Sequence, residues 1–314
     1  MRKENKFPKV ETISIYQFMR RIPDEDAARI YVEKMVWPNG RYCPSCKSTN
    51  TVEVKGASPM RYRCKDCRKH FSVRVGTIFE ASKVSLQTWL AAIYLMTVAK
   101  KGVSSLQISR QLGITQKTAW MLCHKIRETW NVPVKATMSG EVEVDETYFG
   151  GKDKNRHANQ RLHIGRGAVS KQPVVGIRDR NGKVVASVVP NVGSETLHAV
   201  INQSVRKGTN VYTDGNQAYH GLTGYNQSEV VHSVGEYVNG KIHTNGIESF
   251  WSLLKRGYIG TFHYMSPKHL QRYVDEFSSR QNMNRCDTID VMAITTKAAI
   301  GRYLPWKELT NVTT

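Results

Sequence analysis

Two periodicities divide this chain. From Ser85 to Trp130 the apolar residues recur at helical spacing, and from Gly140 onward they alternate as in strands. The first stretch predicts three helices. The middle one starts near Ser104 and ends at Gly113, and a turn, "GIT", leads into a third helix beginning near Gln116. That helix turns Ala119, Leu122, Cys123 and Ile126 inward and leaves Lys117, Thr118, Trp120 and Lys125 exposed. A short helix, a glycine turn and a polar-fronted helix make a helix-turn-helix, or else an ordinary three-helix packing unit. Further forward, "DEDAARIYVEKMVWP" has apolar positions at Ala28, Ile30, Val32 and Val36 and reads as a packing helix stopped by Pro38 and Gly40.

Past Gly140, "EVEVDETYFGG" sets Val142 and Val144 on one side and Glu141, Glu143 and Asp145 on the other. "PVVGIRDRNGKVVASVV" predicts two strands turning at Asn181-Gly182. A helix from an Ser194 cap to a Gly208 stop follows, then a strand ending at Asp214-Gly215, a short helix, and a strand in "SEVVHSV". "HTNGIESFWSLLKRG" starts another helix, and "SPKHLQRYVDEFSSRQNMNR" a last one with Leu270, Tyr273, Val274 and Phe277 inward. Phe250 and Trp251 are expected in the core between these two helices. The order of elements is mixed α/β and resembles a ribonuclease-H-like fold. The expected organisation is an N-terminal helical segment (1–40), a ribbon (41–80), the helix-turn-helix-like region (81–132), a catalytic domain (140–285) and a C-terminal helical tail (286–314).

Cysteine spacing adds a metal. Cys43-x2-Cys46 and Cys64-x2-Cys67 are separated by 17 residues with hairpin patterning between them. Two such knuckles offer four thiolates to one zinc ion in a closed, structural site. His70 lies close enough to substitute, but four sulfurs already fill the shell. Cys123 reads as a core residue.

Charge adds a partner. Lys plus Arg number 46 against 26 Asp plus Glu, a formal +20, which favours a polyanion such as double-stranded DNA. Arg61, Arg63, Lys65, Arg68 and Lys69 crowd the second knuckle, and Gln116, Lys117, Thr118 and Trp120 front the third helix. Lys152, Lys154, Arg156, Arg161 and Arg166 lie in a glycine-rich loop expected to order on DNA, and Arg256 follows on the late helix. No run approaches the ~20 apolar residues of a membrane span, and "MRKENKFPKV" has no apolar signal core, so a cytoplasmic, nucleoid-associated protein is expected.

Three acidic residues then stand out. Asp145 is on the first strand, Asp214 ends the fourth, and Glu248 is on the late helix with Lys255 two turns on along the same face. Such carboxylates suit Mg²⁺ or Mn²⁺ in two-metal phosphodiester chemistry. Asn245-Gly-Ile-Glu248 also fits a variant capping box, which alone accounts for both residues. Glu143 shares the Asp145 face, either as an auxiliary ligand or in a solvated or supporting role, and Glu146 points the other way.

At "CPSC…CKDC", "VDETYFGG", "YTDGNQAY", "HTNGIESFWSLLKRG" and "HLQRYVDEFSSRQN" the chain resembles the bacterial insertion-sequence DDE transposases with an N-terminal zinc ribbon, the insertion sequence 1595 family. The pieces spread over most of the chain. The resemblance implies cutting at element ends and joining of a 3′-hydroxyl to target DNA. It also brings Asn245 forward as a rival to Glu248 for the third catalytic position. Coordinating two ends implies a homo-oligomer on DNA. Two other functions fit parts of the pattern: a DNA-binding regulator without catalysis, and another ribonuclease-H-like nuclease or integrase.

Overall fold

The computed structural model describes residues 10–56, 59–131, 138–151, 171–230 and 243–310. They form two compact units, one of residues 1–130 with 285–314 and one of residues 131–284.

The first unit opens with α1 (Ile15–Arg21), closed by a capping box between Ser14 and Gln17. In α2 (Glu25–Val36) the Asp24 side chain accepts from the Ala27 amide, and Ala28, Val32 and Val36 form the buried stripe. Ile30 is not part of it and stands 45% exposed. Two residues from Ala28, it lies on the far side of the helix. A three-stranded antiparallel sheet follows, with β1 (Thr51–Glu53), β2 (Tyr62–Cys64) and β3 (His70–Phe71) in that order. Next come α3 (Leu86–Val98), α4 (Ser105–Leu112) and α5 (Gln116–Trp130). Gly113 ends α4 in the left-handed conformation, φ +64°, which a side chain would strain.

The chain's last helices, α9 (Thr288–Lys297) and α10 (Trp306–Thr310), belong to this first unit. Trp130 Nε1 donates to Thr295 Oγ1 at 3.0 Å, and the Ile78 amide donates to the Ala299 carbonyl at 2.9 Å. The expected exposed face of α5 holds one fully buried member. Lys125 is 4% exposed, with its Nζ 3.5 Å from the Ile78 carbonyl. Burial lowers its pKa, and Glu80 partly offsets this.

The second unit is built on a five-stranded sheet. Its strands are β4 (Glu141–Phe149), β5 (Gln172–Asp179), β6 (Val184–Val188), β7 (Asn210–Asp214) and β8 (Asn226–Val230), in the order β6-β5-β4-β7-β8. The pairs β4–β5 and β5–β6 are antiparallel, and β4–β7 and β7–β8 are parallel. Strand β4 is therefore central, and its alternation sorts its side chains between two cores. Val142 and Val144 join the cluster with Leu197 and Ile201 of α6 (Ser194–Ser204). Phe149 joins the other, with Ile247, Trp251 and Leu254 of α7 (Asn245–Gly257) and Leu270, Val274 and Phe277 of α8 (Pro267–Asn282).

Two helix ends differ from expectation. Gly193, not Ser194, is the N-cap of α6, and the helix stops at Ser204 because Val205 turns extended and bridges to Met138. Thr244, not Asn245, is the N-cap of α7, which places Glu248 fourth in the helix rather than third. The capping box between Asn245 and Glu248 is therefore not formed. Glu248 Oε1 accepts instead from Thr244 Oγ1 at 2.8 Å.

Candidate functional site

The cysteines come together first. Cys43, Cys46, Cys64 and Cys67 are the group, among the described residues, whose ligand atoms all lie within 4.8 Å of one another. Their Sγ atoms are 3.6 Å apart in the pairs Cys43–Cys67 and Cys46–Cys64. A tetrahedron with Zn–S bonds of about 2.3 Å has edges of about 3.8 Å, so the residues fit zinc. Each knuckle makes the same turn. The residue after its second cysteine, Lys47 at φ +63° and Arg68 at φ +61°, is left-handed. Burial raises the Cys43 thiol, but amide hydrogen bonds at Cys46 and Ser45 and the neighbouring thiols outweigh it and hold it at about 7. Cys46 accepts from the Ser48 amide, yet desolvation and its three sulfur neighbours push it up to about 12. Four sulfurs this close share negative charge well only around a cation. His70 is exposed on β3 and stays outside the group.

Around the second knuckle Arg63, Lys65, Arg68 and Lys69 are exposed. Arg61 is partly engaged, donating to Glu53 at 2.6 Å. On α5, Thr115 caps the helix through the Thr118 amide, and Gln116 Nε2 donates to Ser105 Oγ at 3.1 Å. Trp120 is half-buried, with its ring 4.5 Å from His124 and 6.0 Å from Trp306. Lys117 Nζ sits 4.5 Å over the Trp306 ring. The basic loop residues Lys152, Lys154, Arg156, Arg161 and Arg166 lie outside the described residues.

The acidic residues lie in the second unit, near enough for their charges to act on Asp145. Asp145 is on central β4, and Asp214 ends β7, the parallel neighbour. Glu248 is in the first turn of α7. Burial raises the Asp145 carboxyl to about 7, and the charges of Glu146, Asp214 and Glu248 push in the same direction. Carboxylate oxygens are the hard donors that Mg²⁺ or Mn²⁺ takes, although those of Asp145, Asp214 and Glu248 do not close to within 4.8 Å of one another as the cysteine sulfurs do. Trp251 Nε1 donates to Asp145 Oδ2 at 3.0 Å. Gly176, the β5 partner of Asp145, makes room for that indole: a Cβ there would stand 2.5 Å from Trp251 Cζ2.

Glu146 faces away, as its place on the strand requires, and accepts from Asn216 Nδ2 at 2.7 Å and Tyr219 Oη at 2.6 Å. The Asn216 amide in turn donates to Asp214 Oδ1 at 3.2 Å. Asn245, Glu248, Lys255 and Arg256 are exposed on α7, while Phe250 and Trp251 are buried.

Of the alternatives for Glu143, the structure excludes the solvated one: the residue is 2% exposed. Its Oε2 accepts from the Ile247 amide at 2.7 Å, and its Oε1 pairs with Arg180. The pairing with α7, the Trp251–Asp145 bond and the glycines at 176 and 246 escaped the sequence because each depends on contacts between distant segments. The signal that was available is Gly246, a glycine inside the first turn of a predicted helix.

Comparison with known proteins agrees with this geometry. Residues 137–282 match the model described as an ISXO2-like transposase domain, and residues 23–70 the one described as a transposase zinc-ribbon domain. An uncharacterized protein in transposable element ISH50 of Halobacterium salinarum is 32% identical over 263 residues, covering 79% of this chain and 88% of that protein. An uncharacterized transposase-like protein of Haemophilus influenzae is 32% identical over 102 residues, covering 32% of this chain and 81% of its own length. A cysteine tetrad in the matched ribbon and an acidic cluster in the matched transposase domain carry the same message as these likenesses: the chain belongs to the insertion sequence 1595 family of zinc-ribbon transposases.

Proposed function

We propose that this transposase cuts double-stranded DNA at element ends and joins the freed 3′-hydroxyl to target DNA, with Asp145, Asp214 and Glu248 as its acidic triad. The observation that carries this reading is that β4, which holds Asp145, lies beside β7, which ends at Asp214, and is bonded through Asp145 to Trp251 of α7, the helix that carries Glu248. The sheet order β6-β5-β4-β7-β8, antiparallel on one side of β4 and parallel on the other, supports a ribonuclease-H-like fold. Two Mg²⁺ or Mn²⁺ ions held by these carboxylates would activate the attacking oxygen and stabilise the leaving one.

The chain's own residues do the rest. Trp251 orients Asp145, and the Asn216 amide orients Asp214. Lys255, exposed two turns beyond Glu248, is placed to hold a DNA phosphate. Helices α4 and α5 with the Gly113 turn serve as a helix-turn-helix, and the exposed bases of the second knuckle add phosphate contacts. Joining two ends calls for two coordinated sites, hence a homo-oligomer on DNA. Asn245, exposed one turn before Glu248, is the alternative third residue.

The test is incubation with labelled candidate end DNA and Mg²⁺, scoring nicking and joining. Asp145→Asn and Asp214→Asn are expected to bind DNA as wild type does and to lose both activities. Wild-type cleavage by both variants rejects the triad. Glu248→Gln is expected to be inactive; if only Asn245→Ala is inactive, the third position belongs to Asn245.

A further inference from the structure

Helix α7 carries the third acidic residue, yet it is not capped by its own N-cap residue. Thr244 makes no side-chain cap hydrogen bond, and its hydroxyl goes to Glu248. The first amides of a helix need acceptors. Here the acceptor comes from the sheet: Glu143 Oε2 takes the Ile247 amide at 2.7 Å. A carboxylate 2% exposed is costly unless its oxygens are satisfied, and the other oxygen pairs with Arg180, with His243 Nδ1 3.4 Å away. The negative charge also suits the positive end of the helix.

The fit is close. A Cβ on Gly246 would fall 2.4 Å from Arg178 Nη1 and 2.6 Å from Glu143 Oε2. One turn further along, Trp251 donates to Asp145. Two neighbouring same-face residues of β4, Glu143 and Asp145, are thus each hydrogen-bonded to α7, at Ile247 and at Trp251. Glu248 lies between these two attachment points.

We propose that Glu143 is a positioning residue of the acidic site. Its carboxylate caps α7 from strand β4 and so fixes Glu248 relative to Asp145. The inference rests on the triad reading above, and the experiment separates the two.

Full-length, zinc-loaded protein is compared as wild type, Glu143→Ala, Glu143→Gln and Asp145→Asn. Amide hydrogen exchange is followed at Ile247, Mn²⁺ binding by calorimetry, and cleavage as a function of Mn²⁺. Glu143→Ala is expected to speed exchange at Ile247 by about tenfold or more. It should also weaken Mn²⁺ binding, and raise the Mn²⁺ needed for half-maximal cleavage, by about 10- to 100-fold. DNA affinity should hold. Glu143→Gln, whose amide oxygen still accepts from Ile247, should recover much of the exchange protection. Faster exchange with an unchanged Mn²⁺ requirement reduces Glu143 to a helix cap and overturns the proposal, as does wild-type behaviour in both. Should Glu143→Ala fail to fold, Gly246→Ala, which keeps the carboxylate but forces it from the helix, must give the same pair of changes or the proposal falls. Wild-type cleavage by Asp145→Asn instead rejects the triad, while the exchange data still judge the cap.

Discussion

The cysteine tetrad and the acidic set proposed as the active site are built in opposite ways. The cysteine tetrad comes from two local turns of the same shape, with Lys47 and Arg68 both left-handed after the second cysteine. Its sulfurs close on one another at 3.6 Å. The acidic set is drawn from β4, β7 and α7, and its members are neighbours only through the pairing of β4 with β7 and the bonds of α7 to β4. The two sets therefore depend on different things. A closed shell of thiolates contributes its binding free energy to folding. An open set of like charges opposes folding, and the surrounding structure must hold it together.

Substitutions at the tetrad should therefore disturb the fold most. Cys64→Ser is expected to take zinc from about one per chain to none. Structural zinc is worth on the order of 10 kcal/mol, so exchange protection across residues 42–71 should disappear. Elemental analysis and hydrogen exchange check this; retained zinc would show that three cysteines suffice. Substitution at the acidic set should do the reverse and leave a folded protein without cleavage.

Next in size is Gly176→Ala. Its new methyl would sit 2.5 Å from Trp251 Cζ2, and overpacking of this kind costs about 1–3 kcal/mol. Thermal melting should show that loss, and tryptophan fluorescence should show the indole displaced from Asp145. An unchanged melt would mean that the helix yields freely there.

The pH dependence sharpens the contrast further. Asp145 titrates at about 7 in the folded chain against an ordinary 3.8. Without divalent cations the folded state holds an extra proton between those values. Stability from this residue is then greatest below 3.8 and is lost as pH rises through about 7. Asp145→Asn removes this effect, so its advantage over wild type in melting temperature should grow with pH and level off above neutrality. A constant difference across the range would show that Asp145 carries no raised pKa.

The smallest effect belongs to the knuckles. Lys47→Gly and Arg68→Gly each relieve a left-handed residue, worth about 1–2 kcal/mol, against about 0.5–1 kcal/mol of lost chain entropy. Slight and equal gains in melting temperature are expected. Unequal ones would break the likeness of the two turns.

Much of the fold was legible because it is written locally. Hydrophobic spacing located α3, α4, α5 and α8, and the Asn181-Gly182 turn marked the β5–β6 hairpin. Cysteine spacing alone announced the tetrad. Helix ends were less legible: Thr244 displaced Asn245 as the cap because a strand residue, not the helix's own sequence, supplies the acceptor. Lys125 was misplaced because the segment around Ile78 covers that part of α5. Glu143 was legible as a neighbour of Asp145 on the same face, but its bond to the Ile247 amide and that of Trp251 to Asp145 could be read only after β4 and α7 were seen in contact.

The order in which the chain is made gives α9 and α10 one more meaning. Ala299, Leu304 and Leu309 are buried in the first unit, yet they are made after all of residues 131–284. That unit completes its core only after the whole transposase domain has been synthesised. A chain cut short just after residue 284 would therefore lack part of the ribbon-bearing unit's core while keeping all of the unit that carries the acidic residues.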